Sequence, residues 1–61
     1  MKFTLEIDCD NAAFGDTDSE RGDEVARVLR DLARRVADGY LMVYLRDANG
    51  NTVGTAEFKE S

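Results

Sequence analysis

Glu6, Asp8 and Asp10 are the residues whose types and spacing come closest to a catalytic arrangement. Alternate residues of a β-strand share a face and lie about 7 Å apart, which is near the separation of an acid–base carboxylate pair. Such a pair needs a cleft that changes the proton affinity of one member, and a small sheet rarely provides one. The three carboxylates are therefore more typical of a solvated strand face.

Other catalytic and metal-binding patterns are incomplete. Cys9 is the only cysteine and the chain has no histidine, so the usual base for a nucleophilic thiol is missing and Cys9 is predicted to be a small buried residue. The segment from Asp47 to Asn51 resembles the start of a calcium loop, but its glycine is at position four instead of six and position twelve is Phe58. The sequence predicts no enzyme activity, no cofactor and no metal site.

Length and charge restrict the classes of protein further. The 61 residues suffice for a single domain, residues 1–61, and the net charge is −5. Residues 1–24 contain two basic and eight acidic side chains, which argues against direct binding to nucleic acid or to a membrane surface. No apolar run approaches the roughly 20 residues that span a bilayer. A lone thiol fits a reducing compartment, so a cytoplasmic location is predicted.

The first half of the chain predicts a strand and a long helix. Apolar and polar residues alternate from Lys2 to Cys9, which indicates a strand with one buried face. A polar loop follows, and Phe14, its only large apolar residue, is expected to pack on the core. A helix is predicted from about Ser19 to Asp38, with Asp23 as an i,i+4 partner for Arg27. Its apolar stripe consists of Val25, Val28, Leu29, Leu32 and Val36.

Local signals define the ends of this helix and a hairpin after it. Thr17 and Glu20 fit a capping box, with Ser19 as the rival N-cap, and Gly39 is a typical stop. Two further strands are predicted at Tyr40–Asp47 and Thr52–Lys59, joined by a turn around Asn49 and Gly50.

These elements predict an α+β fold of the order βαββ. A right-handed crossover makes the first two strands parallel. The third strand then fits between them, antiparallel to both, in a split βαβ arrangement with strand order 1-3-2. The alternative order is 1-2-3. One helix is expected to cover one face of the sheet, and Gly54 either admits the helix or marks a bulge. The residues expected under the helix are Phe3, Leu5, Ile7, Phe58, Ala56 and part of the second strand.

The second predicted strand is unusually apolar for a chain with 34% charged residues. A two-residue turn places Leu41, Val43 and Leu45 under the helix and leaves Tyr40, Met42 and Tyr44 on the open face beside Val53. A bulge at Gly50 exchanges the two faces. Either register leaves an uncovered apolar surface on an edge strand, where a second copy could pair. The predicted homodimer interface is Tyr40, Leu41, Met42, Val43, Tyr44, Leu45 and Val53.

An acidic surface supports an alternative function. A dense acidic surface can imitate the phosphate backbone and bind a basic nucleic-acid-binding protein, with a steep dependence on salt. The residues of this alternative surface are Asp8, Asp10, Asp16, Asp18, Glu20, Asp23 and Glu24.

Three segments carry a resemblance to a known group of proteins. "MKFTLEIDCDNAAF", "EVARVLRDLARRVADG" and "LRDANGNTVGTAEF" together resemble short proteins of unknown function from tailed phages and prophages. The resemblance spans nearly the whole chain but rests on structural motifs, so it identifies no functional residue. It implies a bacterial host cell, and a role in binding a host or phage protein. Within that setting the alternative target is a basic host protein such as a defence nuclease.

Overall fold

A computed structural model describes residues 1–60 of the chain. The elements are β1 (Lys2–Ile7), a short 3-10 helix (Ala12–Phe14), α1 (Asp18–Ala37), β2 (Met42–Arg46) and β3 (Thr52–Lys59). The sheet has the order β1-β3-β2 and both strand pairs are antiparallel. The predicted βαββ fold and the strand order 1-3-2 are confirmed, and β1 and β2 are the two edges of the sheet.

The helix begins and ends at the predicted signals. The Thr17 hydroxyl accepts a hydrogen bond of 3.1 Å from the Glu20 N–H, and the Glu20 carboxylate accepts one of 3.1 Å from the Thr17 N–H. This reciprocal pair is a capping box, so Thr17 is the N-cap and Ser19 lies inside the helix. At the other end Gly39 has φ +100°, and the Tyr40 N–H donates to the Arg35 carbonyl. That 6→1 bond is typical of a Schellman motif.

β2 is shorter than the predicted Tyr40–Asp47. The N–H of Tyr40 serves the helix terminus, and Asp47 already belongs to the turn, where its carbonyl accepts from the Gly50 N–H. Only the residues between these two structures, Met42–Arg46, remain free to form the strand.

The β2–β3 turn combines both predicted alternatives. Only Gly50 has a positive φ there, +84°, which excludes a two-residue turn with Asn49 in the left-handed region. Asp47 therefore pairs with Asn51, the pairing of the bulged turn. A second shift follows, because Arg46 pairs with Thr52 whereas Leu45 pairs with Gly54. This bulge restores the original faces.

Val53 is the extra residue of that second bulge, and its predicted position was wrong. It was expected on the open face, but its side chain is 8% exposed and belongs to the core under the helix. A bulge turns the side chain of the unpaired residue out of the alternation of the strand. The two one-residue register shifts of this hairpin thus cancel in their effect on which face Val43 and Leu45 occupy. They do not cancel for Val53, which lies between the two shifts.

Gly54 lies where the backbone of β1 comes closest to β3. A Cβ atom at this position would collide with the Glu6 carbonyl oxygen and would lie 3.0 Å from the Cα of Ile7. The prediction that Gly54 admits the helix was wrong. The neighbour is β1, and the alternative prediction, a bulge, is correct.

The helix covers only part of its sheet face. Val28 and Leu32 of α1 are buried with Val43 and Leu45 of β2, Val53 and Ala56 of β3, and Phe14 of the preceding loop. The role expected of Phe14 is confirmed, since its side chain is fully buried. Phe3 and Leu5 of β1 stay 42% and 43% exposed, and Phe58 also remains exposed. The helix therefore packs over β2 and β3. The predicted cover of β1 is correct for Ile7, which packs against the core, and wrong for Phe3 and Leu5.

Candidate functional site

The exposed surface of β2 combines apolar side chains with unpaired backbone. Met42 and Tyr44 alternate with buried residues and are 43% and 58% exposed on the open face of the sheet. Tyr40 and Leu41, just before the strand, are also exposed, and Leu41 is 72% exposed. These four exposed residues, here called the β2 surface, lie on or just before the edge strand, with Met42 and Tyr44 on its open face.

Three residues of the predicted interface lie elsewhere. Val43, Leu45 and Val53 are buried in the core of the protomer, so their side chains are not part of the exposed surface. The predicted set is therefore corrected to Tyr40, Leu41, Met42 and Tyr44 for side-chain contacts. Val43 remains in the middle of the edge through its backbone.

Backbone groups of β2 alternate between β3 and the free edge. The Leu41 carbonyl accepts from the Phe58 N–H, and the Asp47 N–H donates to the Asn51 carbonyl, so odd-numbered residues face β3. The N–H and C=O groups of Met42, Tyr44 and Arg46 consequently point away from the sheet. The Arg46 carbonyl accepts a hydrogen bond of 3.0 Å from Arg27, which closes that end of the edge.

Arg27 is held in this position by a carboxylate that the sequence patterns did not identify. Its predicted partner was Asp23, but two of its nitrogens donate to Glu24, at 2.8 and 3.1 Å. Glu24 also accepts from the Ala48 N–H at 2.7 Å, and it is buried. The hydrogen bond from Arg27, aided by that from Ala48, holds the pKa of the Glu24 carboxyl below its ordinary value of 4.5.

Asp47 organises the β2–β3 turn from within. It is buried and accepts from the N–H groups of Asn49 and Asn51, both at 2.9 Å, and from the Asn11 side chain at 2.7 Å. Burial alone would raise the pKa of Asp47, but the hydrogen bonds from Asn51, Asn11 and Asn49 outweigh it and lower that pKa below 3.8. Its hydrogen bonds are all made within the turn and to the adjoining loop, so this residue is structural.

The acidic surface predicted as an alternative site is smaller than expected. Glu24 does not belong to it because its carboxylate is buried and bonded to Arg27. Glu20 is committed to the capping box, and the hydrogen bonds from the Asp16 N–H and from Thr17 lower its pKa. Asp18 pairs with Arg21 at 2.7 Å. Glu24 is the one buried member, and the other six acidic side chains of the set, including Asp18 and Glu20, are exposed.

The carboxylates considered for catalysis do not form a row. β1 ends at Ile7, so only Glu6 lies on the strand face. Asp8 accepts from the Asp10 N–H at 3.1 Å, which makes it part of a local turn. Among residues 1–60, no group of three His, Cys, Asp or Glu side chains is close enough to hold a metal ion. No helix in that range is long and apolar enough to cross a membrane.

A second apolar surface lies between the helix and β1 and was not predicted. The Phe3 and Phe58 rings lie with centroids 4.8 Å apart and a tilt of 56°. These two residues, Leu5 on the same face of β1 and Leu29 on the helix are all more than a third exposed. A helix is about 10 Å wide, whereas three strands with their side chains are wider, so one helix leaves part of the face open. The sequence alone, with one helix and three strands, could therefore have predicted that part of this sheet face stays uncovered.

Comparison with other proteins adds no further assignment. Neither the protein-family models, nor the curated proteins, nor the solved structures gave a match to this chain. The resemblance to phage and prophage proteins therefore stays a prediction.

Proposed function

We propose that this chain is a small non-enzymatic protein-binding module that forms a homodimer through the β2 surface and acts by occupying the surface of another protein. The observation that carries the proposal is the edge at Met42 and Tyr44. There, exposed apolar side chains coincide with backbone groups that no strand of the protomer pairs. Such an edge is a template for strand addition, either by a second copy or by an extended segment of another protein.

The setting of this activity is proposed from the resemblance described above. It is the cytoplasm of a bacterial cell that carries a phage or prophage, and the bound partner is a host or phage protein. Acidic mimicry of nucleic acid has weaker geometric support, because Glu24 is buried and bonded to Arg27 and Ala48.

The proposal is tested by the solution mass measured by light scattering over a range of concentrations. The expected mass is that of two chains of 6.8 kDa each. Met42→Lys should reduce the mass to that of one chain while the far-UV circular dichroism stays unchanged. Leu5→Lys is the matched control, because Leu5 and Met42 have the same exposure of 43% on opposite faces of the sheet.

Two results would contradict this assignment. A wild-type chain that is monomeric at all concentrations would refute the homodimer. A dimer that Leu5→Lys dissociates and Met42→Lys does not would place the interface on the surface between the helix and β1. Acidic mimicry instead predicts a monomer whose complex with a basic protein weakens steeply as salt rises.

A further inference from the structure

Two features limit strand pairing at the β2 edge to a short window. The Arg46 carbonyl points to the free edge but is bonded to Arg27 at 3.0 Å. At the other end the Tyr40 N–H donates to the Arg35 carbonyl at 3.1 Å, so it is not available to a new strand. The outward N–H and C=O groups of Met42 and Tyr44 remain between these two occupied positions.

Only one antiparallel register of a second copy uses all the groups of this window. Pairing Met42 with Tyr44 of the second copy, and the reverse, satisfies both residues in both chains. Pairing Tyr44 with itself would require the Arg46 carbonyl, which already accepts from Arg27, to accept a second hydrogen bond from Met42. Pairing Met42 with itself would require the N–H of Tyr40. The two-fold axis of the remaining register passes through Val43.

This register also brings suitable side chains together on the open face. Met42 of each chain lies opposite Tyr44 of the other, and directly opposed side chains on a sheet are about 5 Å apart. Thioether–aromatic contacts of this kind are favourable. Met42 and Tyr44, which are exposed in the protomer, therefore cover each other in the dimer.

The helix carries a charge pattern with the same symmetry. Arg27, Asp31, Arg34 and Asp38 follow at i, i+4, i+7 and i+11, which places them along one side of α1. The bond from Arg27 to Arg46 shows that this is the side next to the free edge of β2. The charges alternate in sign along the row. In an antiparallel second copy of the row, each basic residue therefore lies opposite an acidic one.

The centre of this charge row is level with Val43. The helix runs antiparallel to β2, because Glu24 contacts Ala48 and Arg27 contacts Arg46. The three strand residues from Arg46 to Val43 span about 10 Å, which is the length of about seven helical residues. Because long helical side chains lean toward the N-terminus, the contact of Arg27 with Arg46 lies before the Cα of Arg27 along the helix, and seven residues from that level end before Arg34. An axis through Val43 therefore passes the helix close to the midpoint between Asp31 and Arg34.

From these two coincident symmetries we infer the geometry of the dimer; this inference rests on the proposed homodimer and specifies its register. The occupant of the β2 edge is a second copy of this chain, related by a two-fold axis through Val43, so that the two sheets join as one. The two α1 helices lie side by side and antiparallel, at a usual interhelical distance of about 8–10 Å. Asp31, which also accepts a hydrogen bond of 3.1 Å from Arg35 of its own chain, then faces Arg34 of the second copy, and Arg27 faces Asp38 of the second copy.

Charge exchange between two separately purified variants tests the register. Asp31→Lys places a lysine of each chain against Arg34 of the other, and Arg34→Glu places a glutamate of each chain against Asp31 of the other. Each variant alone should dimerise at least about fivefold more weakly than wild type, because two pairs per dimer change from attractive to repulsive. In an equimolar mixture the heterodimer replaces these repulsive contacts with attractive ones, so native mass spectrometry should show it well above the statistical half.

A matched control and a separate readout keep the outcomes distinct. Lys2→Glu also replaces a basic side chain with a glutamate, but Lys2 is exposed on β1, at the opposite edge of the sheet, so this variant should dimerise like wild type. If wild type is dimeric and sensitive to Met42→Lys, but the single variants dimerise normally and mix statistically, the register is refuted and the proposed function stands. A monomeric wild type refutes both.

Discussion

The Glu24 carboxylate, on the second turn of the helix, accepts a hydrogen bond of 2.7 Å from the backbone N–H of Ala48 in the β2–β3 turn. The same carboxylate holds Arg27, and Arg27 in turn bonds the Arg46 carbonyl. One buried acid thus joins the helix, the turn and the free edge of β2. The shape of the candidate interface depends on a residue that does not belong to it.

Glu24→Gln should reduce stability in a pH-dependent way. The amide keeps the size of the side chain but removes the charge that Arg27 pairs with, at a cost of roughly 1–2 kcal/mol at pH 7. The pKa of Glu24 is lower in the folded chain than its ordinary value of 4.5, so the contribution is complete above pH 4.5 and is lost as pH falls through the folded value. Chemical denaturation at pH 7 and at pH 2 measures the difference.

The difference in stability between the variant and wild type should therefore be smaller at pH 2 than at pH 7. Glu6→Gln is the control, since Glu6 is exposed on the open sheet face and its replacement should leave the stability unchanged at both pH values. An equal deficit of Glu24→Gln at both pH values would show that its carboxylate charge contributes nothing.

Two glycine-to-alanine substitutions should act in opposite directions. At Gly54 the new Cβ collides with the Glu6 carbonyl of β1, so the strands must separate and we expect a loss of at least about 2 kcal/mol. At Gly22, inside the helix, no atom lies within 4 Å, and alanine should stabilise by about 0.5–1 kcal/mol. Thermal unfolding of both variants at equal concentration gives the comparison. A neutral Gly54→Ala would contradict the close approach of β1.

Thr17→Ala should destabilise the helix more than Ser19→Ala. Thr17 is the N-cap and bonds the Glu20 N–H, so its loss should cost about 1 kcal/mol. Ser19 lies in the first turn, and alanine there should be close to neutral. Urea denaturation of the two variants measures both costs, and the reverse order would make Ser19 the functional cap.

The elements were predictable from the sequence because their signals are local. The capping box at Thr17 and Glu20, the stop at Gly39 and the alternation in β1 each lie within a few residues of the structure that they determine. The strand order followed from the handedness of the crossover and from antiparallel pairing. None of these signals depends on a distant partner.

The errors concern residues whose environment is decided by tertiary contacts. Glu24 looked like one more acidic residue of the helix, because its contact Ala48 lies 24 positions away. The exposure of Phe3 depends on the sideways position of the helix over the sheet, which an apolar stripe does not encode. The burial of Val53 depends on two register shifts in one hairpin, whereas the sequence interpretation considered at most one, at Gly50.

Val53→Ala is the substitution that tests this double shift. The side chain is 8% exposed in the core, so removing its methyl groups should cost about 1–2 kcal/mol. A simple hairpin would instead leave Val53 in solvent, where the same change costs little more than strand propensity. Thr55→Ala is the control, because Thr55 is β-branched, exposed and on the same strand. Guanidinium denaturation of both variants therefore isolates burial, and equal small losses would refute the bulge.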